Sequence, residues 1–147
     1  MPYVTNSDIE TRMGTARYVQ LTDDAGTGSA NLAIVAEVRD GAEREVDSYL
    51  ARRYAVPIDL TTAPELAALL KTVVLDLVEH RLHTRRPPVP VDVAAKRASA
   101  VEWLARVASG EAELPSALPL VANPAKGIRA TAIGDARVLS RKELSGY

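Results

Sequence analysis

The chain has 147 residues, a formal net charge of −1 at pH 7 and no cysteine, so disulfides, thiolate zinc sites and cysteine nucleophiles are excluded. A charge this close to zero argues against a nucleic-acid groove, which would require a basic excess. Aromatic residues form only 4% of the chain, so Ala, Val and Leu must fill the core of an expected all-α bundle of about four helices. No apolar run reaches the length of a signal-peptide core or the roughly 20 residues of a membrane span, so we expect a soluble cytoplasmic chain.

The first predicted element is a short helix from about Ser7 to Met13. Thr5 or Ser7 can cap its free amide groups, and Gly14 can end it. The stretch that follows, TARYVQLTDDAGTGSA, is predicted to be a connector that leads into a longer helix.

The end of this connector has the outline of a calcium-binding loop. Counted from Asp23, the glycine that an EF-hand needs at its sixth position is present, but the third position is Ala25 and the twelfth is Ile34. Neither side chain offers an oxygen ligand. A structural role explains more of the pattern, because the glycines permit a turn and Ser29 or Asn31 can cap the next helix.

The second helix is predicted to run from about Asn31 to Tyr54. Apolar residues recur there at steps of three and four, the spacing of one helical face, and Pro57 stops the helix because it disfavours helical geometry at the residue before it. Gly41 costs about 1 kcal/mol relative to Ala unless a neighbour packs closely against it. The residues of the predicted buried face are Val35, Val38, Ala42, Val46, Tyr49 and Arg53.

The third helix is predicted to begin at Thr62 or Ala63, with Pro64 in its first turn, and to end at the cations near Arg86. Its broad apolar stripe predicts the central, most buried helix. A fourth helix is predicted from about Asp92 to Ser109, ended by Gly110. Its Ala-rich face suits close approach by another helix and consists of Ala94, Ala98, Val101, Leu104, Ala105 and Ala108.

The last part of the chain differs in character. Residues 111–147 contain prolines and glycines without helical periodicity, yet they are too apolar for a solvating linker. We therefore divide the chain into a helical core, residues 1–110, and an extended C-terminal docking arm, residues 111–147, that is expected to lie along a neighbouring subunit. The alternative is a frayed terminus.

Few residues suggest chemistry. In EHRLH, His80 and His83 stand three apart beside Glu79, but metal sites need three or four convergent ligands and the chain has only 2 His. No phosphate-binding glycine loop or serine nucleophile elbow is present. We therefore predict no catalytic residue, cofactor site or metal site. The arginine pairs at 52–53 and 85–86 could touch phosphate, but their acidic neighbours favour a role at a helix end or a subunit contact.

Four segments in this order, QLTDDAGTG, DSYLARRYAVPI, WLARVASGEAELP and SRKELSGY, resemble the Mu-like prophage neck protein family. The resemblance implies a small all-helical structural protein of a tailed phage, a head–tail connector or head-completion adaptor in the neck of the virion. Such adaptors form a ring, typically of twelve subunits, between the portal protein and the next neck or tail-terminator protein. DNA passes through the ring without specific binding, no membrane is involved, and assembly takes place in the host cytoplasm.

The sequence is also compatible with two other hypotheses about function. One is a small helical metal-binding enzyme that uses Glu79, His80 and His83. The other is a helical regulatory or nucleic-acid-binding module.

Overall fold

Five α-helices follow one another in the computed structural model, which describes residues 2–115 and residue 117. The described residues contain no β-strand, so the predicted all-α class is confirmed. None of these helices is both long and apolar enough to cross a membrane. The helices are α1 (Asn6–Met13), α2 (Thr15–Thr22), α3 (Leu32–Leu50), α4 (Leu66–Arg85) and α5 (Val91–Ser109).

Helix α2 lies where the sequence predicted only a connector. Gly14 separates it from α1: the Gly14 N–H donates to Glu10 at the end of α1, and the Gly14 carbonyl accepts from Tyr18 in α2. A φ of +81° at Gly14 makes this double role possible. An eight-residue helix is marginal alone, but Tyr18, Leu21 and Thr22 are buried against the rest of the bundle. Tertiary packing therefore stabilises a helix that is too short for a clear periodic pattern.

The central position predicted for α4 is confirmed. Helix α4 carries nine buried residues, the most of the five helices: Leu66, Leu70, Val73, Val74, Leu75, Leu77, Val78, Leu82 and His83. It begins at Leu66 and not near Pro64, because Asp59 organises a separate turn in which its carbonyl accepts from Thr62 and Ala63. Local side-chain and turn hydrogen bonds of this kind compete with helix formation.

Helices α3 and α5 run antiparallel to α4. Asp24, just before α3, pairs with Arg86 at the end of α4, and Lys96 near the start of α5 lies 4.0 Å from Glu79 near the end of α4. At the opposite end, the Tyr54 hydroxyl after α3 accepts from the Leu114 N–H after α5 at 2.9 Å. We call the end with Asp24 and Arg86 the loop end of the bundle and the end with Tyr54 and Leu114 the arm end.

The N-terminal segment is tied to α3 by contacts that span some forty residues of sequence. Glu43 accepts from the N–H groups of Tyr3 and Val4 at 2.9 and 3.2 Å. The Tyr3 hydroxyl donates to Asp47 at 2.6 Å and accepts from the Ile58 N–H at 2.9 Å. Burial, together with Asp47, raises the pKa of Tyr3 above its ordinary value. Tyr3 therefore acts as a neutral hydrogen-bonding link between the N-terminus, α3 and the turn that follows it.

A side chain packs closely against Gly41, which is the condition under which the sequence would favour glycine at this position. A Cβ atom at Gly41 would lie 3.0 Å from Nη1 of Arg81, whose Nη2 donates to Glu45 at 2.8 Å. The missing side chain thus makes room for an ion pair between α4 and α3.

The Ala-rich face of α5, predicted to suit close approach by another helix, lies mostly outside the core of the bundle. Helix α5 buries Val93, Ala100, Leu104, Val107 and Ala108, whereas Ala94, Ala98 and Ala105 are exposed. The exposed part of this face is therefore open to a helix outside the described bundle.

Candidate functional site

The loop before α3 is held by its own first aspartate. The Asp23 carboxylate accepts from the N–H groups of Thr27 and Gly28 at 3.0 and 2.6 Å, and from the Thr27 hydroxyl at 3.3 Å. These donors, the Thr27 amide first, hold the pKa of Asp23 below its ordinary value. The side chain of Asn31 accepts from the N–H groups of Ala33 and Ile34, which confirms its predicted cap. The loop that resembled a calcium site is organised by hydrogen bonds within itself.

The second aspartate fastens this loop to α4. Asp24 pairs with Arg85 at 2.5 Å and with Arg86 at 3.1 Å. Arg85 also donates to the Leu21 carbonyl at 3.0 Å, and Arg86 to the Asp23 carbonyl at 2.9 Å. The two guanidinium groups, Arg85 first, lower the pKa of Asp24. The predicted helix-end role of this arginine pair is confirmed.

The two residues of the other arginine pair, Arg52 and Arg53, have different surroundings. Arg52 is exposed, while Nη2 of Arg53 lies 3.7 Å from Glu113. A Cβ atom at Gly110 would come within 2.0 Å of Nη1 of Arg53. Gly110, with a φ of +92°, therefore both ends α5 as predicted and leaves room for Arg53.

The two histidines of EHRLH line different clefts. His80 lines a cleft of about 470 Å³ between α3, α4 and α5, which we call the arginine cleft after Arg81, Arg85 and Arg97 in its wall. His83 lines a second cleft of about 420 Å³. Across residues 2–115 and 117, no group of three or more His, Asp or Glu side chains is placed to hold a metal ion. Glu79 lies instead 3.7 Å from Nε of Arg12 and 4.0 Å from Lys96.

The arginine cleft is an ion-pair network. Glu45 lies between Arg81 at 2.8 Å and Arg97 at 3.6 Å, so one carboxylate joins α3 to both neighbouring helices. Burial, and then the positive charge of Arg97, lowers the pKa of His80, which keeps this imidazole neutral near pH 7. The arrangement stabilises the packing of three helices and presents matched charges to solvent.

The second cleft lies at the loop end, and we call it the proline cleft. Its wall comes from α2, from the last turn of α4 and from the linker between α4 and α5: Arg17, Gln20, Leu21, His83, Arg86, Pro87, Pro88 and Pro90. His83 is only 4% exposed, and its Nε2 atom is buried without a hydrogen-bond partner. Sequence reasoning missed this cleft, because α2 was not predicted and nothing in the spacing of Arg17 and His83 links them.

Exposed apolar side chains mark the ends of the bundle. Leu32 is 61% exposed at the start of α3 and Val91 is 86% exposed at the start of α5, both at the loop end, whereas Leu69 is 39% exposed near the arm end. Along α5, a stripe of small residues is exposed or half-buried at helical spacing: Ala94, Ala98, Val101 and Ala105. These surfaces are available to a macromolecular partner.

A comparison with protein families decides the class of the protein. The model of the family described as Bacteriophage Mu, Gp36 matches residues 3–130. The chain belongs to this family. Membership confirms the predicted relationship to Mu-like phage proteins, and it points to a structural or morphogenetic phage protein. No curated protein matches the chain.

Proposed function

We propose that this protein is a head–tail connector: a structural virion protein that forms a ring, of about twelve subunits as in the adaptors it resembles, between the portal and the tail. Membership in a Mu-like phage family over residues 3–130 carries this proposal. The all-α bundle and its exposed apolar side chains support it, because a ring needs surface that each subunit buries against the next.

The exposed surfaces suit a cyclic assembly. A closed ring repeats one heterologous junction, in which two different patches of each subunit meet. The stripe on α5 from Ala94 to Ala105 is open to a neighbouring helix, and small side chains there allow close approach of the two backbones. Leu32 and Val91 at the loop end offer a second apolar patch.

The C-terminal arm completes the proposed assembly. The predicted arm beyond Ala117 lies outside the described residues, but its point of departure is defined, since Leu114 is buried against Tyr54 at the arm end. From there, residues 118–147 would lie along a neighbouring subunit or add to the portal protein. The opposite face of the ring would receive the next neck or tail-terminator protein.

The charge of the chain agrees with an unselective channel. DNA must slide through a connector during packaging and ejection, so the lining should not bind phosphate tightly. A net charge of −1 satisfies this requirement. The ring would contain DNA without specific contacts, within the virion neck, after assembly in the host cytoplasm.

Assembly of phage particles without the protein tests the proposal. When the gene is disrupted, we expect DNA-filled heads and complete tails that remain separate, and purified protein added to the lysate should join them into infectious particles. Normal particles in the absence of the protein, or particles with defective tails, would contradict the connector role.

A further inference from the structure

The proline cleft carries two positive side chains and no acidic side chain in its wall. Arg17 is exposed on α2 and forms no ion pair within residues 2–115 and 117. Arg86 directs Nη2 towards Asp23 and Asp24, while its Nε and Nη1 make no hydrogen bond with any described residue. Guanidinium donors of both side chains are therefore available to an anion in the cleft.

His83 supplies a buried polar group whose hydrogen bond is missing. A buried nitrogen without a partner costs free energy, and native proteins leave few such groups unsatisfied. Burial, and then Arg17, lowers the pKa of His83, whereas Glu79 and Asp92 act in the opposite direction. The imidazole is thus neutral near pH 7, with one N–H to donate, and an anion in the cleft would favour its protonated form.

The shape and rim of the cleft indicate the kind of anion. Pro87, Pro88, Pro90 and Leu21 give it an apolar wall, which suits the methylene groups and backbone of a peptide. A net charge of −1 provides no basic excess for the regularly spaced phosphates of DNA. Arg side chains recognise a carboxylate through paired N–H donors, and Gln20 adds an amide donor beside them.

We propose that the proline cleft binds a carboxylate presented by an acidic peptide segment of a protein partner, with Arg17 and Arg86 as the charged donors and His83 at its base. Binding at this cleft does not depend on the connector role. Failure of one leaves the other standing.

The two histidines allow a direct test by NMR on the ¹⁵N-labelled full-length protein. Only 2 His are present, one in each cleft, so the imidazole signals of His83 report on the site and those of His80 serve as an internal reference. The probe is an acetylated and amidated Gly-Glu-Glu-Gly peptide, and its matched control is Gly-Gln-Gln-Gly. We expect the acidic peptide alone to shift the His83 signals saturably and to raise the pKa of His83.

Variants separate the site from a general charge effect. Arg17→Gln should weaken binding of the acidic peptide at least about tenfold, as expected for the loss of a charge-assisted hydrogen bond. Arg52→Gln removes an equally exposed arginine at the arm end and should leave the affinity unchanged. Arg17→Glu, which places a carboxylate beside the cleft, should abolish binding and raise the pKa of His83 without any peptide.

Four results would overturn the assignment. Three of them are His80 signals that move as much as those of His83, equal effects of the two peptides, and an Arg52→Gln variant that weakens binding as much as Arg17→Gln. A short DNA duplex that shifts His83 at lower concentration than the acidic peptide would instead assign the cleft to nucleic acid. Circular dichroism of each variant confirms that the helices remain folded.

Discussion

Single carboxylates fix the short elements of this protein onto the long ones. Asp8 closes the capping box of α1, since its backbone N–H donates to the Thr5 hydroxyl and its carboxylate accepts from the Thr5 N–H. The same carboxylate accepts from Lys71 of α4 at 2.5 Å. The Lys71 hydrogen bond, followed by the Thr5 amide, lowers the pKa of Asp8 from 3.8 to about 2. One side chain thus joins a helix cap to a tertiary ion pair.

We expect this arrangement to give the protein an acid-dependent loss of stability. A carboxyl group whose pKa is lower in the folded state stabilises the fold above its unfolded pKa, and this contribution disappears as the pH falls towards the folded pKa. For Asp8 the window runs from about pH 4 down to about 2. Urea unfolding across that range should give a falling free energy of unfolding.

Asp8→Asn and Lys71→Met should both flatten this part of the pH profile. The first removes the titrating group, and the second removes the partner that lowers its pKa most. A slope unchanged in both variants would show that other carboxyl groups cause the loss.

The residue-scale features that the sequence predicted are those that depend on close neighbours in the chain. Asn31 as a cap and Gly14 and Gly110 as helix ends follow from local backbone requirements. No sequence pattern links Glu43 to the N-terminus, yet its carboxylate accepts from the N–H groups of Tyr3 and Val4. Such contacts form only in the folded chain, so a local sequence pattern cannot predict them.

At the scale of elements, periodicity predicted the three long helices and capping residues predicted the short helix α1, whereas α2 was missed. Helices α3, α4 and α5 each have 19 or 20 residues, enough turns for a buried face to repeat. Helix α2 has 8 residues, and only its packing reveals it. On α5, the Ala-rich pattern could not identify which helix would approach it, because alanine fits both a core and a surface position; Ala94 and Ala98 are exposed.

Replacement of Gly41 by Ala has two opposing effects on the stability of the protein. Ala in place of Gly inside a helix stabilises it by about 1 kcal/mol, but the new methyl group would meet Arg81 at 3.0 Å and disturb its pairing with Glu45. We expect Gly41→Ala to gain less than this amount in the unaltered protein and the whole amount in an Arg81→Ala background, as measured by urea unfolding. Equal gains in both backgrounds would mean that Arg81 does not constrain Gly41.

At the scale of the whole molecule, the two ends of the bundle differ. The loop end presents Leu32, Val91 and the proline cleft, whereas Ala117, the last described residue, lies at the arm end. A subunit with different surfaces at its two ends is suited to a directional assembly between unlike neighbours. The sequence predicted the bundle and the arm from composition, but the polarity of the ends requires the positions of the helices.

A truncation that removes the arm must keep Leu114, because this residue belongs to the core. This residue is buried and its N–H donates to Tyr54, so a chain that ends after Ala117 should keep its helical circular dichroism and melting temperature. A chain that ends after Glu113 loses a buried leucine and should be less stable by about 2 to 4 kcal/mol.

The same truncation tests the docking arm. The chain that ends after Ala117 should remain folded but should no longer join heads to tails in a lysate that lacks the full-length protein. If it still completes infectious particles, the arm has no role in docking.

Cryo-electron microscopy of virions or isolated necks tests the position of this protein in the particle most directly. We predict a ring of about twelve copies of the five-helix bundle directly between the portal and the tail, with DNA or its empty channel along the axis. A neck whose density contains no such bundle, or copies of the protein found only elsewhere in the particle, would contradict the account.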